Sequence, residues 1–356
     1  LASGGWLGLG RAIAAVDGPA GDAAVALDPE RVRRKLGFDV AYAQRVRASF
    51  ALQTPAPSQS IVIGIDNRIV VNTPRQYPYN KHVYIVMQRP HTELDHRRDG
   101  AYICSGTFLD EDFVLTAAHC IYNRDEGHFA YANEPRDEQP PSFVTQWGTD
   151  YGRGFACLGG DIDSSSEFAT NCEFVLARWA PSSWTGNTAP EVESDFALIK
   201  LERANHPDGL GAGAWMALSS IDDAANYATK QAVINGFPVD GPDGSNFVAQ
   251  FVSITDPTIA NPAWQTANWE FYSPAHLYHR SGAVDSSTTQ QQLAYLADSS
   301  GGDSGSGVFY YTDGSSEYTG QSHYIIGVHH GSNGSFNVGA SVHQFRDWVT
   351  TMMSSN

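Results

Sequence analysis

A glycine-rich turn near the C-terminal end of the chain presents a serine that could act as a nucleophile. The run Asp298-Ser-Ser-Gly-Gly-Asp-Ser-Gly-Ser-Gly307 contains Ser304 and can place two backbone N–H groups beside a reacting carbonyl. A serine hydroxyl reacts poorly until a base accepts its proton. The turn therefore predicts a nucleophile with an oxyanion hole, provided that a histidine and a carboxylate accompany it.

Both partners occur upstream. Thr116-Ala-Ala-His-Cys120 supplies His119, and Ser194-Asp-Phe-Ala-Leu-Ile-Lys200 supplies Asp195 at the start of an apolar run. The order His, Asp, Ser differs from the Ser, Asp, His order of the α/β-hydrolases, whose elbow also needs glycine two residues after the serine. Here Ser306 occupies that position. The three residues predict a catalytic triad of the order found in chymotrypsin.

A metal site and several other classes fit the sequence poorly. His119 lies beside Cys120, yet no CxxC or HxxxH pair accompanies it, so we expect no metal and no cofactor. The net charge of −17 disfavours a nucleic-acid surface. With no run of 18 apolar residues, we expect no membrane span, and we take a monomer as the default.

Four cysteines have spacings that suit two local bridges, which we predict to be Cys104–Cys120 and Cys157–Cys172. The first would join a strand to the turn that carries the histidine. Disulfides form in oxidising compartments, so the pattern predicts a secreted, extracellular protein.

The chain divides near residue 60. Residues 1–60 contain two short stretches with helical character and carry seven basic against five acidic side chains, which leaves −19 for the remainder. Opposite charges suit a pro-segment that docks on the mature domain, and a disordered tail is the alternative. Residues 61–356 have the short, β-branched and aromatic runs of an all-β domain, in two halves at roughly 61–205 and 206–356. The second half ends in a predicted helix from Val342 to Val349. We expect Ile61 to Val71 to be a strand, and the two long inserts, 122–193 and 255–298, to be decorated loops.

Several motifs beyond the triad make the chain resemble a known family from about residue 61 onward. It resembles the chymotrypsin-like serine peptidases, and more closely their glutamyl endopeptidase branch, in Val62-Ile-Gly-Ile-Asp-Asn-Arg68, Thr116-Ala-Ala-His-Cys-Ile-Tyr122, Ser183-Trp-Thr-Gly-Asn187, Gly236-Phe-Pro-Val-Asp240, Gly302-Asp-Ser-Gly-Ser306 and Ile326-Gly-Val-His-His-Gly331. The resemblance implies two packed six-stranded antiparallel β-barrels with the active site between them. It also implies cleavage of protein or peptide substrates, with the N–H groups of Gly302 and Ser304 forming the oxyanion hole.

Residues around the turn give conflicting indications of specificity. His329 and Ser299 match positions that bind a substrate glutamate in the glutamyl branch, which favours cleavage after Glu, with Asp as a second candidate. Asp298 lies six residues before Ser304, where trypsin-like enzymes keep the aspartate that binds Arg or Lys, so trypsin-like specificity stays open.

Asp303 also departs from the glutamyl branch, which usually has Asn or Gln before the nucleophile. In trypsin-like enzymes an aspartate there pairs with the α-amine freed by activation, and Ile61-Val-Ile-Gly64 resembles such a new N-terminus. We therefore expect a zymogen cleaved near Ser60–Ile61, with the Ile61 amine pairing with Asp303 or reaching towards the pocket. An inactive homologue that serves as a binding module is the remaining alternative.

Overall fold

The structure is a computed structural model. It describes residues 61–88, 101–123, 128–129, 154–158, 172–186, 192–201, 216–238, 249–254, 266–271, 276–318, 320 and 322–356. The predicted pro-segment or tail, residues 1–60, lies outside this part of the chain.

Strands dominate the described residues. They are β1 (Ile69–Val70), β2 (His82–Gln88), β3 (Ala101–Phe108), β4 (Phe113–Thr116), β5 (Tyr122–Asn123), β6 (His128–Phe129), β7 (Gly154–Leu158), β8 (Cys172–Trp179), β9 (Ala197–Leu201), β10 (Ala217–Leu218), β11 (Gln231–Gly236), β12 (Ala249–Ile254), β13 (Thr266–Phe271), β14 (Tyr278–Ala283), β15 (Gln292–Tyr295), β16 (Gly307–Tyr311), β17 (His323–Ser332) and β18 (Asn337–Ser341). The α-helices are α1 (Ser182–Thr185) and α2 (Val342–Ser355), and short 3-10 turns span Tyr79–Lys81, Ala118–Cys120, Val192–Ser194 and Ala224–Tyr227.

Six strands of the first half close into an antiparallel barrel in the order β2-β3-β4-β9-β8-β7. Branched aliphatic side chains such as Val83, Ile85, Val114 and Ile199 share the inner face of its strands, and all four are fully buried. Closure gives each of the six strands two neighbours and leaves no open edge.

The second half forms a sheet in the order β14-β11-β16-β17-β18-β15. Its ends meet at a bridge between Val284 and Tyr295, and the Leu296 N–H donates to the Ala283 carbonyl at 3.0 Å. These contacts close a second six-stranded barrel, while β1 and β10 pair with β14 and β17 outside the closed path. The all-β, two-barrel architecture predicted from the sequence is confirmed.

The predicted C-terminal helix is also confirmed, and α2 extends six residues beyond the expected end at Val349. Its apolar face reaches back to the first barrel, where the Phe196 ring lies 5.3 Å from Phe345 and 5.4 Å from Trp348. Phe196 directly follows Asp195, so this packing supports the residue beside a predicted site residue.

Two local predictions were wrong. The inserts are not only loops, since 122–193 contains barrel strands β7 and β8, and 255–298 contains β14 and β15. Conversely, only Ile69–Val70 of the expected strand Ile61 to Val71 is β-structure, because the backbone before it bonds to side chains rather than to a neighbouring strand. Among the described residues, no helix has the length and apolar character needed to cross a membrane.

Candidate active site

His119 and Asp195 form a direct hydrogen-bonded pair. His119 lies on the 3-10 turn Ala118–Cys120 after β4, and Asp195 lies just before β9, the strand that pairs with β4. The imidazole Nδ1 is 2.7 Å from Asp195 Oδ2, and the His119 backbone N–H donates to Oδ1 at 2.9 Å. Because both carboxylate oxygens accept from one residue, the orientation of the imidazole is strongly constrained.

The charges of this pair are coupled. Burial alone lowers the pKa of His119, but the charge and hydrogen bond of Asp195 outweigh it and raise that pKa above its ordinary value. Burial raises the pKa of Asp195, and the His119 side chain together with smaller contributions outweighs it and holds that pKa below the usual range. Asp195 therefore stays ionised and stabilises the protonated form of the imidazole.

A disulfide fixes the turn that carries the histidine. Cys104 on β3 is joined to Cys120, with a Cα–Cα distance of 6.0 Å. Cys157 on β7 is disulfide-bonded as well, and the strand register places Cys172 of β8 directly opposite it. The first bridge links a barrel strand covalently to the residue after His119.

The turn that carries Ser304 is bound to the same strand, β3. The Ser105 N–H donates to the Ser304 carbonyl at 2.7 Å, and the Ser105 hydroxyl donates to the Gly302 carbonyl at 2.9 Å. Ser105 follows Cys104, which is bonded to the residue next to His119. These contacts join the Ser304 turn of the second barrel to strand β3, whose disulfide reaches the residue after His119.

Two glycines shape the turn through positive φ angles, +93° at Gly302 and +88° at Gly305. A β-carbon at Gly305 would lie 2.2 Å from the Ser105 carbonyl oxygen and 2.2 Å from Thr116 Oγ1. Within the part of the chain that the structure describes, the N–H groups of Gly302 and Ser304 donate to no other group. The turn thus offers the two donors that an oxyanion hole requires.

The residues expected to bind a substrate glutamate are buried. His329 lies on β17, and its Nδ1 is hydrogen-bonded to the Tyr295 hydroxyl of β15. Burial holds the pKa of His329 well below its ordinary value, so the imidazole is neutral near pH 7. Ser299 is fully buried, and its N–H donates to the Ile61 carbonyl at 3.1 Å.

Asp298 has a different set of partners from the one that a trypsin-like substrate-binding role implies. Its Oδ1 accepts from the Ile63 N–H at 2.6 Å, and its Oδ2 accepts from the Asn67 N–H at 2.8 Å. The side chain is fully buried. Both oxygens therefore anchor the 61–67 segment, which explains why that segment is not a strand.

Asp303 and Ile61 do not pair with each other. Asp303 Oδ1 lies 2.6 Å from Nη2 of Arg280, a residue of β14, and both side chains are fully buried. The Ile61 N–H instead donates to Asn337 Oδ1 at 3.0 Å. In this uncleaved chain Ile61 carries an amide N–H rather than a free amine, so its expected pairing with Asp303 stays a prediction, and here Arg280 supplies the positive charge beside Asp303.

One group of potential metal ligands occurs among the described residues, namely Cys104, His119 and Cys120. It does not suit a metal, because the two sulfur atoms are joined in the disulfide and are not thiolates. The imidazole Nδ1 of His119 is also engaged by Asp195.

Four further residues at the site were missed by sequence reasoning, and they are Ser105, Arg280, Tyr295 and Asn337. Only Ser105 had a sequence signal, because it follows the cysteine of a predicted disulfide. The others lie on strands whose register with the turn cannot be read from short motifs.

Comparison with known proteins agrees with this geometry. Residues 71–146 match the Trypsin family. A 76-residue segment is 32% identical to the "Extracellular metalloprotease" of Bacillus subtilis (strain 168), and it covers 21% of this chain and 22% of that relative. A solved structure of "Glu endopeptidase in complex with MPD" superposes with a TM-score of 0.51 at 19% identity, covering 83% of this chain and all of that chain. The last match shows that the fold is chymotrypsin-like.

Proposed function

We propose that this chain, which has the chymotrypsin-like fold, is a serine endopeptidase in which Ser304 is the nucleophile, His119 the general base and Asp195 the residue that orients it. The observation that carries the proposal is the 2.7 Å hydrogen bond between Asp195 and His119. Strand β3 links this pair to a glycine turn that offers two N–H donors.

The reaction follows from these positions. Ser304 Oγ attacks the carbonyl carbon of a peptide bond while His119 Nε2 takes the hydroxyl proton, and the resulting oxyanion accepts from the N–H groups of Gly302 and Ser304. Collapse breaks the C–N bond as His119 returns the proton to the leaving amine. Water, activated by the same histidine, then hydrolyses the acyl-enzyme and restores Ser304.

A different peptidase class is suggested by the name of the Bacillus relative, which is called a metalloprotease. Within the described residues, the single cluster that a metal could use is built from a disulfide and the base of the triad. The serine mechanism is therefore the better account of this site.

We further propose cleavage after glutamate, with aspartate as a second substrate. Support comes from the positions of His329 and Ser299 and from the fold that the chain shares with a solved Glu endopeptidase. A histidine hydrogen-bonded through Nδ1 to Tyr295 has a defined ring orientation. The Arg/Lys alternative is weakened because Asp298 is occupied by backbone N–H groups.

We also propose that the protein is a secreted precursor that is cleaved near Ser60–Ile61. The disulfides and the word "Extracellular" in the name of the Bacillus relative support secretion. The backbone of Ile61 is anchored on both sides, since Asn337 accepts from its N–H and donates to its carbonyl at 2.7 Å. N-terminal sequencing of active material tests the cleavage, and a sequence that begins at Leu1 contradicts it.

Covalent labelling tests the enzyme itself. A fluorophosphonate is expected to label the processed wild-type chain on Ser304 and to leave Ser304→Ala unlabelled. A wild-type chain that is folded but unlabelled supports the inactive homologue instead.

A peptide panel that varies only the residue before the cut tests the specificity. We expect preference for Glu in the wild type and loss of that preference in His329→Ala. Preference for Arg that is unchanged in His329→Ala contradicts the glutamyl proposal.

A further inference from the structure

A fully buried ion pair lies directly behind the proposed nucleophile. Arg280 on β14 contacts Asp303, the residue before Ser304, with 2.6 Å between Nη2 and Oδ1, and neither side chain is exposed to solvent. Burying an isolated charge is costly, so each member of such a pair depends on the other. Removing Arg280 would leave an uncompensated carboxylate one residue from the nucleophile.

The carboxylate of Asp303 also organises the turn around itself. Its Oδ2 accepts from the Ser300 N–H at 2.9 Å, and its backbone N–H donates to the Ser300 carbonyl at 3.2 Å. On the other side, the Asp303 carbonyl accepts from the Ser306 N–H at 3.0 Å. The side chain and the backbone of one residue thus connect both ends of the turn that contains Gly302 and Ser304.

Arg280 is itself held in place. Its Nη1 donates to the Tyr278 carbonyl two residues earlier at 3.2 Å. Gly236 on the neighbouring strand β11 makes room for the pair, because a β-carbon there would lie 2.6 Å from Asp303 Oδ1 and 3.2 Å from Arg280 Nη2. Strand pairing in the second barrel therefore determines where the positive charge meets the turn.

We propose that Arg280 is a positioning residue that orders the oxyanion turn through Asp303, the role for which the amine of Ile61 was expected. The inference rests on the proposed serine-peptidase function. The guanidinium belongs to the body of the second barrel, so the pairing of Asp303 requires no freed N-terminus. Because Arg280 supplies the positive charge beside Asp303, the proposed cleavage near residue 60 is not needed to provide it.

The test compares Arg280→Met, Arg280→Lys and the double variant Arg280→Met/Asp303→Asn with the wild-type chain. In Arg280→Met, kcat for a peptide substrate is expected to fall about 10²- to 10³-fold with KM changed less than threefold, because an oxyanion donor acts in the transition state. The double variant removes both charges of the buried pair, and its kcat is expected to be at least tenfold higher than that of Arg280→Met. Arg280→Lys keeps the charge and is expected to lie between the wild type and Arg280→Met.

A binding measurement separates positioning from general damage. A peptide aldehyde forms a hemiacetal oxyanion with the serine, so its affinity is expected to fall with kcat in Arg280→Met, whereas the affinity of a product peptide stays unchanged. Arg346→Met is the matched control, because Arg346 pairs with the exposed Asp222 at 3.1 Å, and its kcat is expected to equal that of the wild type.

The possible failures are distinguishable. Wild-type chain that neither cleaves peptides nor reacts with a fluorophosphonate contradicts the proposed function. Active wild type together with an equally active Arg280→Met contradicts only the inference about Arg280. If Arg280→Met does not fold, as judged by near-ultraviolet circular dichroism, the double variant decides: restored folding and kcat support the inference, and no improvement over Arg280→Met overturns it.

Discussion

Replacing Asp195 with asparagine should reverse the tautomer of the base while leaving the shape of the site intact. Asp195 Oδ1 faces the backbone N–H of His119 at 2.9 Å, and that N–H can only donate. The asparagine oxygen must therefore occupy this position, which turns the NH₂ group towards His119 Nδ1. Because NH₂ is a donor, Nδ1 must lose its proton, and the proton moves to Nε2, the atom that should accept from Ser304.

The size of the effect follows from the contacts. Restoring the productive tautomer places two donors 2.7 Å apart in a buried site, which costs about 1–3 kcal/mol for each unsatisfied group. The charge-assisted bond to the imidazolium, worth about 1.5–3 kcal/mol, is lost as well. These terms add to about 3.5–9 kcal/mol, and the lower part of that range, about 4–5.5 kcal/mol, corresponds to a decrease in kcat of about 10³- to 10⁴-fold.

The assay is the pH dependence of kcat/KM for a peptide substrate. In the wild type, Asp195 raises the pKa of His119, so activity should be lost as the pH falls through a value above about 6.5. Without the carboxylate charge, burial remains and lowers the pKa of His119, so the residual activity of Asp195→Asn should persist to lower pH. Asp222→Asn, which changes an exposed aspartate, is the control.

A loss of less than tenfold in Asp195→Asn would refute the reasoning, as would an acid limb at the same pH as in the wild type. Thermal unfolding must show that the variant is folded. Ser304→Ala sets the background rate against which the residual activity is measured.

Three further predictions concern the elements that support the site. Gly305→Ala should reduce kcat at least 10²-fold and destabilise the protein by about 2–6 kcal/mol, since it adds strain at a positive φ and a 2.2 Å contact; activity and chemical denaturation measure both. Asp298→Ala should increase hydrogen exchange in the 61–67 segment without changing the preferred residue before the cut, and a switch away from Glu contradicts the anchoring role. Cys104→Ser/Cys120→Ser should lower the free energy of unfolding by about 3 kcal/mol, and an unchanged denaturation midpoint argues against the bridge.

Short motifs predicted the chemistry of the site because each motif determines its own local geometry. Glycines near Ser304 permit the positive φ angles of the turn, and short apolar runs before His119 and after Asp195 form the barrel strands β4 and β9. The disulfide at Cys120 could be predicted for the same reason, since its partner lies only 16 residues away. The barrel strands β7, β8, β14 and β15 were missed, because their sequences lie in long segments with few β-branched runs.

The sequence by itself determined which residue types enter the proposed reaction, a serine in a glycine turn with a histidine and an aspartate in a set order. Only the tertiary structure decided what the two nearby acids do. Asp298 binds backbone groups that lie more than 230 residues away, and Asp303, in the turn before β16, contacts Arg280 of β14. Such partners depend on strand register and barrel closure, and a buried carboxylate takes whichever donor or cation the packing brings within hydrogen-bond distance.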